Sequence, residues 1–435
     1  MPVTRRIARP VVRKIVRAVN QAVAGMFDEA SFFLDLLGST ETLDPRITFS
    51  RASGGTRTNS SGVLELVGAN VPRFDYDPVT LQPRGFLIEE QRTNSIRNNT
   101  MVGAVAGTPG TLPTNWASSS IGGISLTEIV STGVENGIAY VDVRYAGTTS
   151  SSASGGITTD GTTQIAALSG QSWASSFYVR LVGGSLNGIA SISNAIQERS
   201  SSATLLVATN DAITLTSVMR RVSVMRTLNN ASTAFVNQQI RITPESGVAI
   251  DITLRIGLPQ LELGAKESSV IPTSGAAATR AADIAPCTGT NFSSWYRADE
   301  GTIFVDGTAA SVSAFMMFAT LSDGTAGNEI RLSTQSAGNN PGLIVNAGGV
   351  TQATSYATAA QGVAVKVAGS YAANNFNAAA NGTLATPDTS GSIPVVDRLT
   401  IGARGNNTLS INGHIRRIAF FPRAFSAAEL QALTS

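Results

Sequence analysis

Two spacings of apolar residues divide the chain. In residues 11–27 apolar side chains recur at Val12, Ile15, Val16, Val19, Val23, Met26 and Phe27, three or four positions apart, with Arg13, Lys14 and Arg17 mainly off that face. This spacing predicts an amphipathic helix, with Pro10 in the first turn, where a missing N–H costs nothing. Beyond residue 30 the period falls to two. Ile250, Ile252, Leu254, Ile256 and Leu258 alternate with Asp251, Thr253, Arg255 and Gly257, and Val363, Val365 and Val367 alternate with Ala364, Lys366 and Ala368. Such alternation predicts strands with one buried and one wet face.

Short β-type runs, broken by Gly, Ser, Thr and Asn, recur about every ten residues. Strands are expected at 63–67, then at 124–129, 139–145, 173–181, 189–193, 204–208, 220–227, 235–242 and 250–258. After an Ala, Gly and Thr-rich stretch a second series is expected at 294–296, 301–305, 315–321, 329–333, 342–346, 363–371 and 411–421. This regular spacing reads as antiparallel sandwiches. Ser426 and Glu429 make a capping box, with Phe425 and Leu430 as its hydrophobic staple, so a short helix should end the chain. The expected fold is mainly β: a basic anchoring helix (1–30), a small β lead-in module (31–98), a jelly-roll sandwich (99–273), a linker (274–290) and a second sandwich (291–435).

Charge sharpens the division. The first 25 residues hold six basic side chains and no acid, against a formal net charge of +2 for the whole chain, so the remainder is net negative. Arg13, Lys14 and Arg17 interrupt any secretory apolar core, and no run is long enough to span a membrane. Docking of the helix onto a partner protein is the preferred reading over a solvated helix packed on its own domain, and over contact with nucleic acid or a lipid surface. Cys287 is the single cysteine, so an intramolecular disulfide is excluded. His414 is the single histidine, and every histidine-based catalytic scheme would have to use it; an edge histidine is the simpler reading. Asp75 and Asp77 share one face of an extended segment, where pairing with Arg73 and Arg84 is preferred to a metal or acid-pair role. Sugar recognition favours an exposed ring ringed by polar groups, and the candidates are Trp116, Tyr140 and Tyr145, with Trp173 assigned to the core. No cofactor is called for; Asp323, Asn328 and Glu329 could furnish oxygens for calcium, without an ordered ligand pattern.

Three segments carry a resemblance. LDPRITFSRAS (43–53), NVPRFDYDP (70–78) and PRGFLIEEQRTN (83–94), in this order, resemble a segment common in virion proteins of tailed bacteriophages. GLPQLELG (257–264), SVIPT (269–273) and TRAAD (279–283) resemble the exit of jelly-roll carbohydrate-binding modules found after that segment. The strand 411–421, FPRAF (421–425) and the capped helix are similar to the ending of laminin G-like, concanavalin A-type sandwiches, over about 290–435. The resemblance implies a structural virion protein of tail-fibre or receptor-binding type, assembled in the host cytoplasm and located on the particle. Its N-terminal helix would dock to other virion proteins, a homotrimer would form, and host surface polysaccharide or lipopolysaccharide would be the target. Two alternatives remain: a capsid-decoration, head-fibre or baseplate protein without glycan binding, and a polysaccharide depolymerase. Hydrolytic relatives of the second sandwich carry a closely spaced acidic motif that has no convincing equivalent in this sequence, so a non-enzyme is expected.

Overall fold

The computed structural model describes residues 25–38, 41–309, 316–335, 338–358 and 364–435. The protein is mainly β, built of antiparallel sheets. It divides into two compact units, one of Met1–Arg51, Asn70–Glu90 and Ala282–Ser435, the other of Ala52–Ala69 and Gln91–Ala281.

The first unit pairs an eight-stranded with a six-stranded sheet. In the larger, the order is Thr383–Leu384, Asn375–Ala380, Val365–Ala372, Glu300–Ala309, Gly413–Phe421, Pro83–Ile88 and Phe74–Tyr76. Phe32–Asp35 pairs with the far end of Gly413–Phe421, so that one strand is flanked by three others. The smaller runs Pro286–Thr288, Arg398–Ile401, Met317–Ser322, Glu329–Thr334, Pro341–Ala347 and Val350–Tyr356. Alternate residues such as Ile303, Val305, Phe318, Ile330, Leu332, Val367 and Ile418 fill one shared core.

These pairings correct the expected domain organisation. No free-standing lead-in module spans 31–98: Phe32–Asp35, Phe74–Tyr76 and Pro83–Ile88 complete the large sheet, whereas the hairpin Gly55–Thr58/Leu64–Val67 and the strand Arg92–Asn94 belong to the second unit. The physical reason is the backbone of Gly413–Phe421, whose N–H and C=O groups on that side need partners, which a short segment cannot withhold for a core of its own. The expected linker is likewise structured. Ala278–Arg280 pairs with Arg92–Asn94 and Pro286–Thr288 with Arg398–Ile401. Residues 294–296 are not a strand; Thr290–Ser293 is a helical turn, and Phe292 meets Trp295 and Tyr296 at ring-centroid distances of 4.9 and 4.6 Å. Those contacts at i+3 and i+4 are the helical spacing that outweighed the β preference of the aromatic rings.

The outer face of the large sheet is also apolar. Phe304, Ala419 and Phe421 are covered by Phe425 and by Leu430 and Leu433 of the helix Ala427–Thr434, with Met26 and Phe27 packed against them. Phe27 lies 5.2 Å from Phe33 and 5.4 Å from Phe304, ring to ring. Met26 and Phe27, expected to dock the particle, are thus spent on their own unit, because an apolar sheet face has to be covered. The remaining docking candidates, Val12, Ile15, Val16, Val19 and Val23, lie outside the described residues. The expected capping box is formed: the Ser426 hydroxyl accepts from the Glu429 N–H, and the Ser426 N–H donates to Glu429 Oε2 at 2.8 Å.

Four charged side chains from distant segments meet inside this unit. Arg51 Nη1 donates to Asp283 Oδ1 at 3.1 Å, Arg73 Nη1 pairs with Glu89 Oε2 at 2.7 Å, Arg73 also pairs with Asp283, and the Glu89 N–H donates to Asp283 at 2.9 Å. All four are buried. Burial opposes the charge of Arg73, but Glu89 and Asp283 more than offset it.

The second unit is a two-sheet sandwich. Its five-stranded sheet runs Arg220–Thr227, Ser172–Gly184, Ala249–Leu263, Ile138–Thr148 and Glu128–Glu135. Its six-stranded sheet runs Leu205–Ala212, Ile189–Arg199, Phe235–Pro244, Gly155–Thr158 and Ala117–Ser119, with Ile165–Ala166 also on Phe235–Pro244. The expected strands are present, and Arg220–Thr227 matches residue for residue. The one expected at 124–129 starts only at Glu128, because Ile121 and Ile124 bridge each other across a tight turn.

Asp283→Asn should cost about 3–5 kcal/mol in urea unfolding, because it removes the buried carboxylate charge that pairs with both Arg51 and Arg73. A second expectation concerns acid. The hydrogen bond from Arg423 holds the Glu429 carboxyl down from 4.5 to about 2. Its contribution is therefore complete above 4.5 and is lost as pH falls toward 2. Amide exchange at Leu430 and Leu433 should accelerate in that window before the sheets open.

Candidate functional site

Alternation places the site on the six-stranded sheet of the first unit. With Ile330 and Leu332 in the core, Glu329, Arg331 and Ser333 point to the opposite face. On the next strand Leu343 and Val345 are core, so Ile344 and Asn346 share that face, opposite Arg331 and Glu329. Arg404 arrives from the loop after Arg398–Ile401.

Glu329 is the hub and is fully buried. Arg404 Nε donates to its Oε2 at 2.9 Å and Arg404 Nη2 to its Oε1 at 2.5 Å, a two-pronged contact. Arg331 Nη1 pairs with the same Oε1, and Asn346 Nδ2 donates to it at 2.9 Å. Asn346 is held in turn by the Thr351 hydroxyl, 2.9 Å from its Oδ1. The two guanidinium groups thus share the Glu329 carboxylate. Burial, with the neighbouring charge of Arg404, pushes Arg331 down to about 10, and burial also lowers Arg404. Both remain cations at neutral pH. Tyr356, raised by burial and partly restrained by Arg331, stands half-buried on the neighbouring edge strand, and Thr351 and Thr354 on that strand are exposed. Chemically this is a fixed, partly desolvated pair of guanidinium groups with hydroxyl groups at its rim, and guanidinium groups match planar anions.

The residues singled out from the sequence lie elsewhere. Trp116 is buried in the second unit's core, where its Nε1 donates to the Asn98 carbonyl at 2.8 Å. Tyr145 is fully buried in the same core. Tyr140 is half-buried, with the Arg255 guanidinium 3.5 Å from its ring centroid. Arg255 is itself fixed by Asp142 at 2.9 Å and by Glu135. Neither Trp116 nor Tyr145 offers a ring to a sugar, since both close the space between the sheets, and one face of Tyr140 is taken. None of the chain's three Trp and seven Tyr residues is exposed.

The calcium oxygens do not converge. Glu329 is turned to the two arginines, while Asp323 accepts from the Thr325 N–H at 2.8 Å and from Asn328 Nδ2 at 2.8 Å. Among the described residues no group of three or more His, Cys, Asp or Glu side chains could hold a metal ion. Asp77 accepts from the Val79 and Thr80 N–H groups and from Arg84 at 2.8 Å, which holds it far below the usual carboxylate range, and Asp75 lies 2.9 Å from His414 Nε2. The expected pairing with Arg84 is formed, but Arg73 is turned inward to Glu89 and Asp283. The sequence did carry one sign of the site, the Glu-Ile-Arg-Leu-Ser alternation at 329–333, which puts an acid and a base on one outward face. Arg404 gave no sign, since only the fold brings it beside them.

Glu329→Gln should destabilise the first unit by about 3–5 kcal/mol in urea unfolding, since it strips the buried Arg331 and the half-buried Arg404 of their shared carboxylate. Arg404→Gln in the same chain should recover part of that loss, giving a measurable coupling energy.

Comparison with known proteins adds a family for part of the chain. Residues 273–431 match the family described as the concanavalin A-like lectin/glucanases superfamily, laminin G type. No curated protein matches. Among solved structures, the CBM40 of the Ruminococcus gnavus IT-sialidase is 22% identical, with 33% of this chain and 88% of that chain covered and a TM-score of 0.28. The NanB sialidase of Streptococcus pneumoniae is 17% identical over 32% of this chain and 24% of that one, TM-score 0.27. A SAP-like pentraxin of Limulus polyphemus is 10% identical over 32% of this chain and 70% of that one, TM-score 0.24. The chain thus ends in a laminin G-like, concanavalin A-type domain, and the Glu329, Arg331 and Arg404 cluster lies on one sheet of that domain.

Proposed function

We propose that this is a non-enzymatic, glycan-binding virion protein of a tailed phage, of tail-fibre or receptor-binding type, and that Arg331 and Arg404 seat the carboxylate of an acidic sugar. The observation that carries the glycan reading is the pair of arginines, Arg331 and Arg404, held side by side on one carboxylate on a sheet face of a lectin-type domain. A guanidinium fork matches a carboxylate in plane, and such a bond is strongest where water is partly excluded. Glu329 would keep both forks oriented, while Tyr356, Thr351 and Thr354 would meet ring hydroxyls. The phage assignment rests on the segments at 43–53, 70–78 and 83–94. In that setting residues 1–24 would reach other virion proteins, and copies in a homotrimer would raise weak sugar contacts to useful avidity.

A purely structural virion component is the second reading. It is favoured by the lack of any exposed Trp or Tyr to stack on a sugar ring.

The test is binding of the full chain to an acidic host-surface polysaccharide and to the same polymer with its carboxyl groups reduced to alcohols. Binding should weaken about 10–100-fold on reduction, and by a similar factor in Arg404→Ala, with the polymer's length unchanged. Equal binding of both polymers would refute the acidic-sugar seat, polymer shortening would refute the non-enzymatic reading, and no binding at all would favour the structural component.

A further inference from the structure

The long edge strands of the sheets are not treated alike. Arg220–Thr227 carries Arg220, Arg221 and Arg226. Glu128–Glu135 is bridged by Gly107, whose N–H donates to the Ile129 carbonyl at 2.9 Å and whose carbonyl accepts from the Ile129 N–H at 3.0 Å. Val350–Tyr356 is crossed by a loop in which Asp388 accepts from the Thr354 N–H and Ser392 donates its N–H to Gln352 Oε1, both at 3.2 Å. Charges, bridges and covering loops of this kind keep the unpaired N–H and C=O groups of an edge from recruiting another strand.

Leu205–Ala212, the edge of the second unit's six-stranded sheet, has no such guard. Its sequence, LLVATNDA, holds one charge and neither proline nor glycine. The other three edges each bury at least one residue, but none of this strand is buried, and Leu205, Asn210, Asp211 and Ala212 are exposed.

Register shows which way its backbone groups point. The strand pairs with Ile189–Arg199, where Gln197 faces Ala208, Ala195 faces Asn210 and Ser193 faces Ala212. Just past its end the Ile213 N–H donates to the Ile192 carbonyl at 2.7 Å. Directions alternate along an antiparallel ladder, so Asp211, Thr209 and Val207 also turn toward that neighbour. Ala208, Asn210 and Ala212 therefore turn their N–H and C=O groups outward, and no loop or side chain among the described residues takes them.

We propose that this edge is an interface for a second copy of the chain, the two Leu205–Ala212 strands pairing antiparallel about a two-fold axis at Thr209. Ala208 then lies opposite Asn210 of the partner subunit, and the reverse, each pair exchanging two backbone hydrogen bonds. Thr209 faces its own counterpart, a favourable cross-strand pair. Asp211 falls opposite Val207 of the partner subunit, so the one charge on the edge meets no like charge. The bulge between Glu198 and Arg199 bends the Leu205 end out of line, which centres the contact on Thr209 and not nearer the start of the strand. A foreign partner would have to be selected by charge or by pockets, and this edge offers a single carboxylate. A self-complementary strand needs neither, and two-fold contacts are the commonest way identical chains meet. The contact uses none of residues 1–24 and no residue of the Arg404 site, so it stands or falls apart from the proposed function.

The test is the copy number of the full-length chain by analytical ultracentrifugation, in the parent and in Ala208→Pro, which removes an outward N–H and leaves the bonds to Ile189–Arg199 in place. The parent should contain an even number of copies and Ala208→Pro half that number. A second measurement reads the register. Cys287 is fully buried, so an introduced surface thiol reacts alone. Under mild oxidation Thr209→Cys should link two copies, because the paired Cα atoms lie about 4.5 Å apart, within reach of a disulfide. Ala212→Cys should not, because its counterpart lies six residues away along the strand, roughly 20 Å. A parent with one copy or an odd number, an Ala208→Pro variant with the parent's copy number, or linkage at Ala212→Cys as ready as at Thr209→Cys would overturn the inference. Should Ala208→Pro lose its circular dichroism signal, the two cysteine variants decide alone.

Discussion

The buried cluster of Arg51, Arg73, Glu89 and Asp283 is the constraint on which the first unit depends. Two cations and two carboxylates removed from water cost several kcal/mol each unless every one finds its partner, so the four must come together as a set. They come from three separate stretches of sequence, and each lies at or near a point where the chain passes from one unit to the other: Arg51 ends its stretch, Arg73 follows Asn70, Glu89 precedes Glu90, and Asp283 follows Ala282. Charge matching therefore fixes where the early strands enter the sheet. Once Pro83–Ile88 and Phe32–Asp35 are placed, the strand Gly413–Phe421 has its second edge paired and the core of the sandwich is closed.

The contrast with the cluster on the smaller sheet is instructive. There, a buried acid, Glu329, is shared by the buried Arg331 and the half-buried Arg404. Burial and the like charge of Arg404 both push Arg331 down, a cost that an incoming anion would relieve. This is why the acidic-sugar proposal is placed on Arg331 and Arg404 and not on the more heavily charged entry cluster.

Much of the fold was legible because period-two alternation is local. The strands at 220–227, 235–242, 250–258, 301–305 and 329–333 could be read from their own residues, as could the capped helix at the end. What could not be read was assignment to a sheet. Residues 32–35 and 83–88 look like parts of a small module until Gly413–Phe421, more than three hundred residues later, is seen to need partners. Aromatic side chains misled for the same reason: Trp116, at an apparent loop-to-strand junction, had the right chemistry for a sugar, and only the packing around Asn98 and Met101 shows it to be core. At the candidate site Glu329 was noticed, but as an oxygen donor to calcium; the approach of Arg404, 75 residues on, turns it into an anchor for cations.

The most direct measurement is a crystal structure of the full chain with an acidic disaccharide ending in a uronic acid. The account predicts that the sugar carboxylate lies within hydrogen-bond distance of both Arg331 and Arg404, with Glu329 still holding their other nitrogens and ring hydroxyls directed to Tyr356 and Thr354. A disaccharide bound elsewhere on this domain, or one whose carboxylate faces water while a neutral group meets the arginines, would contradict it.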